Sequence, residues 1–403
     1  MSAPAPNLRP LNGIRVVDFT SLVAGPWCTR LLADCGAEVI KVEAVGEGDI
    51  IRFAAPVVDG MSRVFAHFNC GKKSISLNLK SRSGLALARR LVEKADIVIE
   101  NFRPGVMARL GLDYAAVSAV KRDLIYCSIS GFGQSGPRAK EGAYAPVVHA
   151  LSGYDHAFMQ AQESAEKPPV SGIMMADVVA GVYAFGAIQA ALVHRERHGK
   201  GTFIDATLME SMMSLIGIQY QEAQSREPIT SRRFPPIRVR DGHVAIPLVS
   251  MPNYLALYPI IGWPEWTDEF GTLQTALLNR QKIEDALAAW ASDKTVDEVE
   301  TAMAAAGLPF ARYRTPSQML DDDHLRQRGS FARLADADGE FVVLNPPFKI
   351  SAAACVANPR VARAGEDTAA VLTQTLGMNE MEIAQMRDDG AFGRAAKDNR
   401  DAR

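Results

Sequence analysis

The chain has 403 residues, 48% of them hydrophobic and 22% charged, and carries a formal net charge of −2. This composition excludes a disordered polypeptide, and a near-neutral chain without a long basic run excludes an electrostatic footprint for nucleic acid or anionic lipid. The length predicts two domains, or one large domain with an insertion. The five cysteines are widely spaced and form no C-x-x-C pair, so they read as free thiols in a reducing compartment. "MSAPAPNLRPLNG" at the start lacks the apolar core of a signal peptide, and the expected location is cytoplasmic.

In chain order, "IRVVDF" (14–19) predicts a strand, "GPWCTRLLADCGA" (25–37) a helix closed by Gly36, and "EVIKVE" (38–43) a second strand. "SISLNL" (74–79) predicts a strand and "SGLALARRLVEKA" (83–95) an amphipathic helix. "DIVIEN" (96–101) and "DLIYCSIS" (123–130) predict further strands. Strands alternating with helices predict an α/β fold: an open, Rossmann-like parallel sheet covered on both faces. The apolar run Ile173–Val193 is long enough to span a membrane but carries Asp177 and Gln189 and stands alone, so it reads as a buried core helix. "TFIDATL" predicts a strand and "MESMMSLIGIQYQEAQ" a helix. From about residue 224 the chain becomes proline-rich. A small α+β domain is expected over 224–329, with Asp241-Gly242 as a hairpin turn. A hairpin around Asp338-Gly339 follows, and the polar end from about 386 is expected to be loosely held.

Most short motifs carry little chemistry. "GFGQSG" (131–136) matches G-x-G-x-x-G, but Pro137 follows and no helix opens there to receive a pyrophosphate, which argues against a nicotinamide enzyme. His194 and His198 read as a solvated helix end and "DDDH" (321–324) as helix-opening acids, so no metal site is expected. Asp177 differs. A lone carboxylate among apolar residues costs several kcal/mol or takes up a proton. It reads either as a cap, a role Ser171 also fits, or as a nucleophile or base activated by partial desolvation. "ENFRPGVMARLG" (100–111) leaves a strand's carboxyl end, where open α/β sheets bind ligands, with Arg103 and Arg109 as candidate phosphate partners.

Five segments in fixed order carry a resemblance: "LNGIRVVDFTSLVAGPWCTRLLADCGAEVIKVE", "FNCGKKSISLNLK", "ADIVIENFRPGVMARLGLDY", "SGFGQSGP" and "VSGIMMADVVAG". Together they resemble the family III CoA-transferases (the CaiB/BaiF superfamily). The resemblance implies a large CoA-binding domain over 1–223, a small domain over 224–329 and a C-terminal segment, 330–403, that completes the large one. It implies an intertwined homodimer. The family's catalytic aspartate falls on Asp177, and its CoA contacts fall on Val23, Ala24, Leu77, Lys80, Asn101, Phe102, Arg109 and Tyr144. No cofactor is held permanently; a CoA thioester is the cosubstrate, and the partners are an acyl-CoA and a small organic acid. Ala44 stands where an arginine often meets the CoA nucleotide, with Lys72 or Lys73 as substitutes. No glycine-rich cover loop occurs near 235–265, so oxalate is not the expected acceptor.

The implied reaction is CoA transfer through aspartyl anhydride and aspartyl-CoA intermediates on Asp177. Two alternatives remain open. One is an α-methylacyl-CoA racemase, which needs a histidine beside the aspartate. Tyr144 occupies that family's histidine position, while His149, where transferases usually carry glutamine, keeps the option alive. The other is an acyl-CoA binding protein without turnover. Arg232, Arg233, Arg238 and Arg240 suggest a dicarboxylic substrate as readily as a solvated basic strand.

Overall fold

The first apolar runs are short because each is a strand buried on both faces. In the computed structural model, which describes residues 9–162, 166–226 and 234–392, β1 (Arg15–Asp18), β2 (Glu38–Glu43), β3 (Lys73–Ser76), β4 (Ile97–Glu100), β5 (Ile125–Ser130) and β6 (Thr202–Thr207) form one sheet. All five pairings are parallel, and the spatial order is β3-β2-β1-β4-β5-β6. This is the order of dinucleotide-binding sheets, with the direction of winding reversing between β1 and β4. In register, Val17 lies between Ile40 and Val98.

Alternate residues of each strand feed opposite cores. Val16, Ile97 and Ile125 pack on the face that carries α1 (Ala24–Asp34) and the long helix α8 (Met175–His198). Val17, Ile40 and Val98 pack on the other, with α3 (Arg82–Glu93). Between these lie α2 (Arg63–Asn69), α4 (Val106–Leu110), α5 (Tyr114–Ser118), α6 (Ala145–Leu151) and α7 (Tyr154–Gln160). The methionine-rich helix expected after β6 is two helices, α9 (Leu208–Leu215) and α10 (Gly217–Glu222), because the backbone at Ile216 leaves helical geometry.

The chain divides into two units, 1–224 with 326–403, and 225–325. The later part of the first unit returns to the sheet. A hairpin (Phe331–Asp336 with Gly339–Leu344) is tied through Asp336 to Arg63 at 2.7 Å, and Asp367 accepts the Ser74 N–H at 2.8 Å. The expectation of a loose end from residue 386 does not hold as far as 392. Ala391 and Phe392 are buried in the core with Leu87 and Val98, and the Ala391 carbonyl accepts the Asn78 N–H at 2.7 Å. The unit 225–325 is a three-stranded antiparallel sheet with helices such as Met251–Ile260, Arg280–Ala291 and Val296–Ala305 around Tyr254, Leu257 and Trp266.

Candidate active site

The loop from β1 to α1 is held by buried charges. Asp18, at the end of β1, accepts the Thr20 N–H at 2.8 Å and the Thr29 hydroxyl at 2.6 Å, and lies 3.3 Å from Lys72 Nζ. Lys41 donates to the Thr20 carbonyl at 2.7 Å and pairs with Asp49 at 2.9 Å. Burial would raise the Asp18 carboxyl, but Lys72 and Lys41 bring it below the ordinary carboxylate range. Burial likewise pulls Lys72 down to about 8 against the pull of Asp18. Such a cluster contributes shape more than net stability.

The shape is unusual. Leu22 has φ of 67°, in the left-handed region that a leucine rarely adopts. It persists because both neighbouring amides are pinned. Asn101, just past β4, accepts the Ser21 N–H at 2.9 Å and donates to the Ser21 carbonyl at 2.8 Å, while Asp49 accepts the Leu22 N–H at 3.0 Å. Strain held in this way marks a place that must present its backbone in one direction.

Val23 caps α1 through its backbone and is buried, and the N–H of Ala24, the first residue of α1, faces the Asp177 carboxyl and favours its charged form. Asp177 lies in the first turn of α8, so the positive ends of two helices meet at one acid. The approach depends on Gly181, one turn further along α8. A Cβ there would lie 2.6 Å from the Ala24 carbonyl oxygen and 3.2 Å from the Trp27 ring. The buried stripe of α8 is small throughout its front half, being Ala176, Ala180, Gly181 and Ala184. The other faces of α8 are open in the single chain, with Val182 and Tyr183 about half exposed, so it is not the fully enclosed core helix its apolarity suggested.

Neither expected cap is used. The N-cap of α8 is Met174, without a side-chain bond, and the Ser171 hydroxyl accepts the Ile173 N–H at 3.2 Å instead. The capping partner is His149 on α6, whose Nε2 accepts the Ala176 N–H at 3.2 Å. Burial lowers the His149 imidazole, with Asp155 opposing, in keeping with a neutral ring that accepts.

Partial burial of Asp177 outweighs the two N–H groups and raises its carboxyl to about 6. A nucleophile must be ionised, so kcat/KM is expected to fall as pH drops through a midpoint near 6. The stability effect has the opposite sign. The folded state holds this proton more tightly than the unfolded chain, so ionised Asp177 costs stability above pH 6 and the cost fades as pH falls from 6 toward 4. Asp177→Asn is therefore expected to raise Tm at about pH 8, with the difference closing near pH 4; a pH series of melting curves checks it.

The remaining candidates follow the carboxyl ends of the parallel strands. Leu77 lies one residue past β3 and is 1% exposed inside the core. Lys80 is exposed beyond it. Phe102 packs partly on the core and donates its N–H to Glu100 at 2.8 Å. Arg109, in the last turn of α4, is exposed, as is Tyr144, the N-cap residue of α6. Asn101 thus braces Ser21 in the loop that leads to Val23 and Ala24 at the head of α1, and α8 with Asp177 packs against that helix at Gly181. Leu77, Lys80, Arg109 and Tyr144 share only the strand-end side of the sheet. Lys72 and Lys73 do not replace the missing arginine at 44. Lys72 is turned inward on Asp18, and Lys73 opens β3 at the opposite edge, paired with Glu38 at 2.6 Å. Arg232 and Arg233 lie outside the described residues; Arg238 is exposed and Arg240 donates to the Asp293 carbonyl at 3.2 Å. No group of three or more His, Cys, Asp or Glu side chains that could hold a metal ion occurs among the described residues.

A half-buried acid beside the head of α1 fits group transfer, and the comparison with known proteins decides which. The sequence profile of CoA-transferase family III matches residues 11–368. The chain belongs to CoA-transferase family III. A succinate–glutarate CoA-transferase of Agrobacterium fabrum is 32% identical over 84% of this chain and 88% of its own length. The mouse succinyl-CoA:glutarate CoA-transferase is 30% identical over 80% of this chain and 76% of its own. A CaiB/BaiF family protein from Brucella suis superposes with a TM-score of 0.78 at 30% identity, covering 92% of this chain and 100% of that structure. For a CoA-transferase the arrangement is chemically apt. An acid can carry an activated acyl group without losing its energy, and N–H donors already aimed at a carboxylate oxygen are aimed at any oxyanion formed there.

Proposed function

We propose that this CoA-transferase moves CoA from succinyl-CoA to a small dicarboxylic acid through covalent intermediates on Asp177. An Asp177 oxygen attacks the thioester carbonyl, the C–S bond breaks and CoA thiolate leaves, giving a mixed anhydride. The thiolate attacks the aspartyl Cγ, which releases succinate and leaves an aspartyl-CoA thioester. The acceptor carboxylate attacks that Cγ, regenerating thiolate and a new anhydride, and the thiolate takes the acyl carbonyl to yield product and free Asp177. At each attack on Cγ the developing oxyanion meets the Ala24 N–H at the head of α1. The carrying observation is this convergence of two helix starts on an acid raised to about 6.

The choice of substrates rests on the relatives named for succinyl-CoA with glutarate, D-citramalate or mesaconate. A racemase reading is less well supported, because His149 is 3% exposed with its Nε2 occupied by a backbone N–H. The CoA would run along the strand ends past Asn101 and Phe102, with Arg109, Lys80 and Tyr144 as exposed partners for its nucleotide end. The working form in this reading is an intertwined homodimer. The apolar, uncovered side of α8, α9 and α10, with Val182, Tyr183, Leu215 and Ile218 exposed, supports it.

One preparation tests both parts. With succinyl-CoA present, hydroxylamine is expected to inactivate the enzyme and leave a hydroxamate on Asp177, detected by peptide mass spectrometry, while glutarate protects by draining the intermediate. Light scattering is expected to give a particle of two chains. Label on another residue, or none under turnover, ends the covalent reading; a monomer active at all concentrations ends the dimeric one.

A further inference from the structure

The first four N–H groups of a helix have no partner within it, and each must find one elsewhere. At the start of α8, Met175 donates to the Ile173 carbonyl at 3.0 Å, and Val178 makes the first bond of the helix itself, to the Met174 carbonyl at 3.1 Å. Ala176 donates across to His149 Nε2 at 3.2 Å. The histidine comes from α6, 27 residues earlier in the chain, and its ring lies 5.9 Å from Tyr154 on α7. It is buried, the charged group acting on it is Asp155 on α7, and the residue whose N–H it holds directly precedes Asp177.

We propose that His149 is a positioning residue for Asp177: its neutral Nε2 holds the Ala176 N–H, fixes the first turn of α8, and keeps that N–H away from the neighbouring carboxylate. The inference rests on Asp177 being the nucleophile. An unclaimed Ala176 N–H sits one residue from the carboxylate and would bond to it. A further donor stabilises the ionised acid, lowers its proton affinity and weakens its attack, while the side chain swings toward the helix start. The imidazole thus touches no substrate, yet it decides how many donors the acid carries.

The test compares His149→Leu, which keeps volume but removes the acceptor, with His149→Gln, whose amide oxygen accepts at similar reach. The Asp177 carboxyl is titrated by infrared difference against Asp177→Asn, which needs no substrate, and kcat and KM are measured with succinyl-CoA and glutarate. His149→Leu is expected to lower the titration midpoint by about one pH unit and kcat by about tenfold or more, with KM changed by less than about threefold. His149→Gln is expected to keep both near the native values. If His149→Leu does not fold, His149→Gln carries the test alone: a native midpoint and rate uphold the proposal, and loss of either overturns it. A native midpoint in His149→Leu also overturns it, as does His149→Gln behaving like His149→Leu. If Asp177→Asn still transfers CoA, the nucleophile assignment has failed; if it is dead while His149→Leu is native-like, only the positioning role has.

Discussion

Asp177→Ala and Asp177→Asn are expected to lower kcat for CoA transfer by about a thousandfold or more, the scale seen when a covalent nucleophile is lost. Asparagine is the sharper test. It keeps the size of the side chain and one acceptor oxygen that can still face the Ala24 N–H, so α8 stays in place. Its amide cannot form the anhydride, because the neutral oxygen is a poor nucleophile and nitrogen is a poor leaving group for the second step. Binding of a CoA thioester should survive, measured as KM-like affinity by calorimetry. An Asp177→Asn protein that turns over near the native rate would remove the acid from the chemistry.

Gly181 carries the second large effect. Alanine there places a Cβ 2.6 Å from the Ala24 carbonyl oxygen, and the obstacle is backbone, which cannot swing aside as a flexible side chain can. Helix α8 must retreat from α1, which lifts Asp177 off the Ala24 N–H. Overpacking of this kind costs about 1–3 kcal/mol of stability, and a displacement near 1 Å at the reacting group costs about a hundredfold in rate. Valine is expected to be worse than alanine in both respects. Steady-state kinetics beside thermal melts decide it. Native kcat in Gly181→Ala would mean that the two helix starts do not act together on the acid.

Much of the large unit could be read from the chain because parallel strands announce themselves as short apolar runs between breakers. "EVIKVE" is β2 from end to end, and the remaining strands differ from expectation by one to three residues where hydrogen bonding stops. The acid at 177 was legible for the opposite reason, as a polar residue in an apolar run. What surrounds it was not. His149 meets Ala176 across 27 residues and Asn101 meets Ser21 across 80. Side-chain-to-backbone bonds at such separation leave no periodic trace. Lys72 and Lys73 look alike in sequence, yet strand alternation sends one into the core and the other to Glu38. One signal was available and unused: Ala176, Ala180, Gly181 and Ala184 recur at helical spacing, a stripe that permits close helix approach.

The return of residues 326–392 to the sheet has a consequence for biosynthesis. Strand β3 is secured by Asp367 and the segment just past it by the Ala391 carbonyl, and both emerge from the ribosome only after the whole of 225–325. The nascent sheet therefore waits with that border unprotected while a separate unit is made, and closing it joins segments nearly 300 residues apart. Such distant pairing is slow and leaves half-made chains exposed to aggregation. Production should thus depend on chaperone supply and on growth temperature more than the stability of the finished enzyme would indicate.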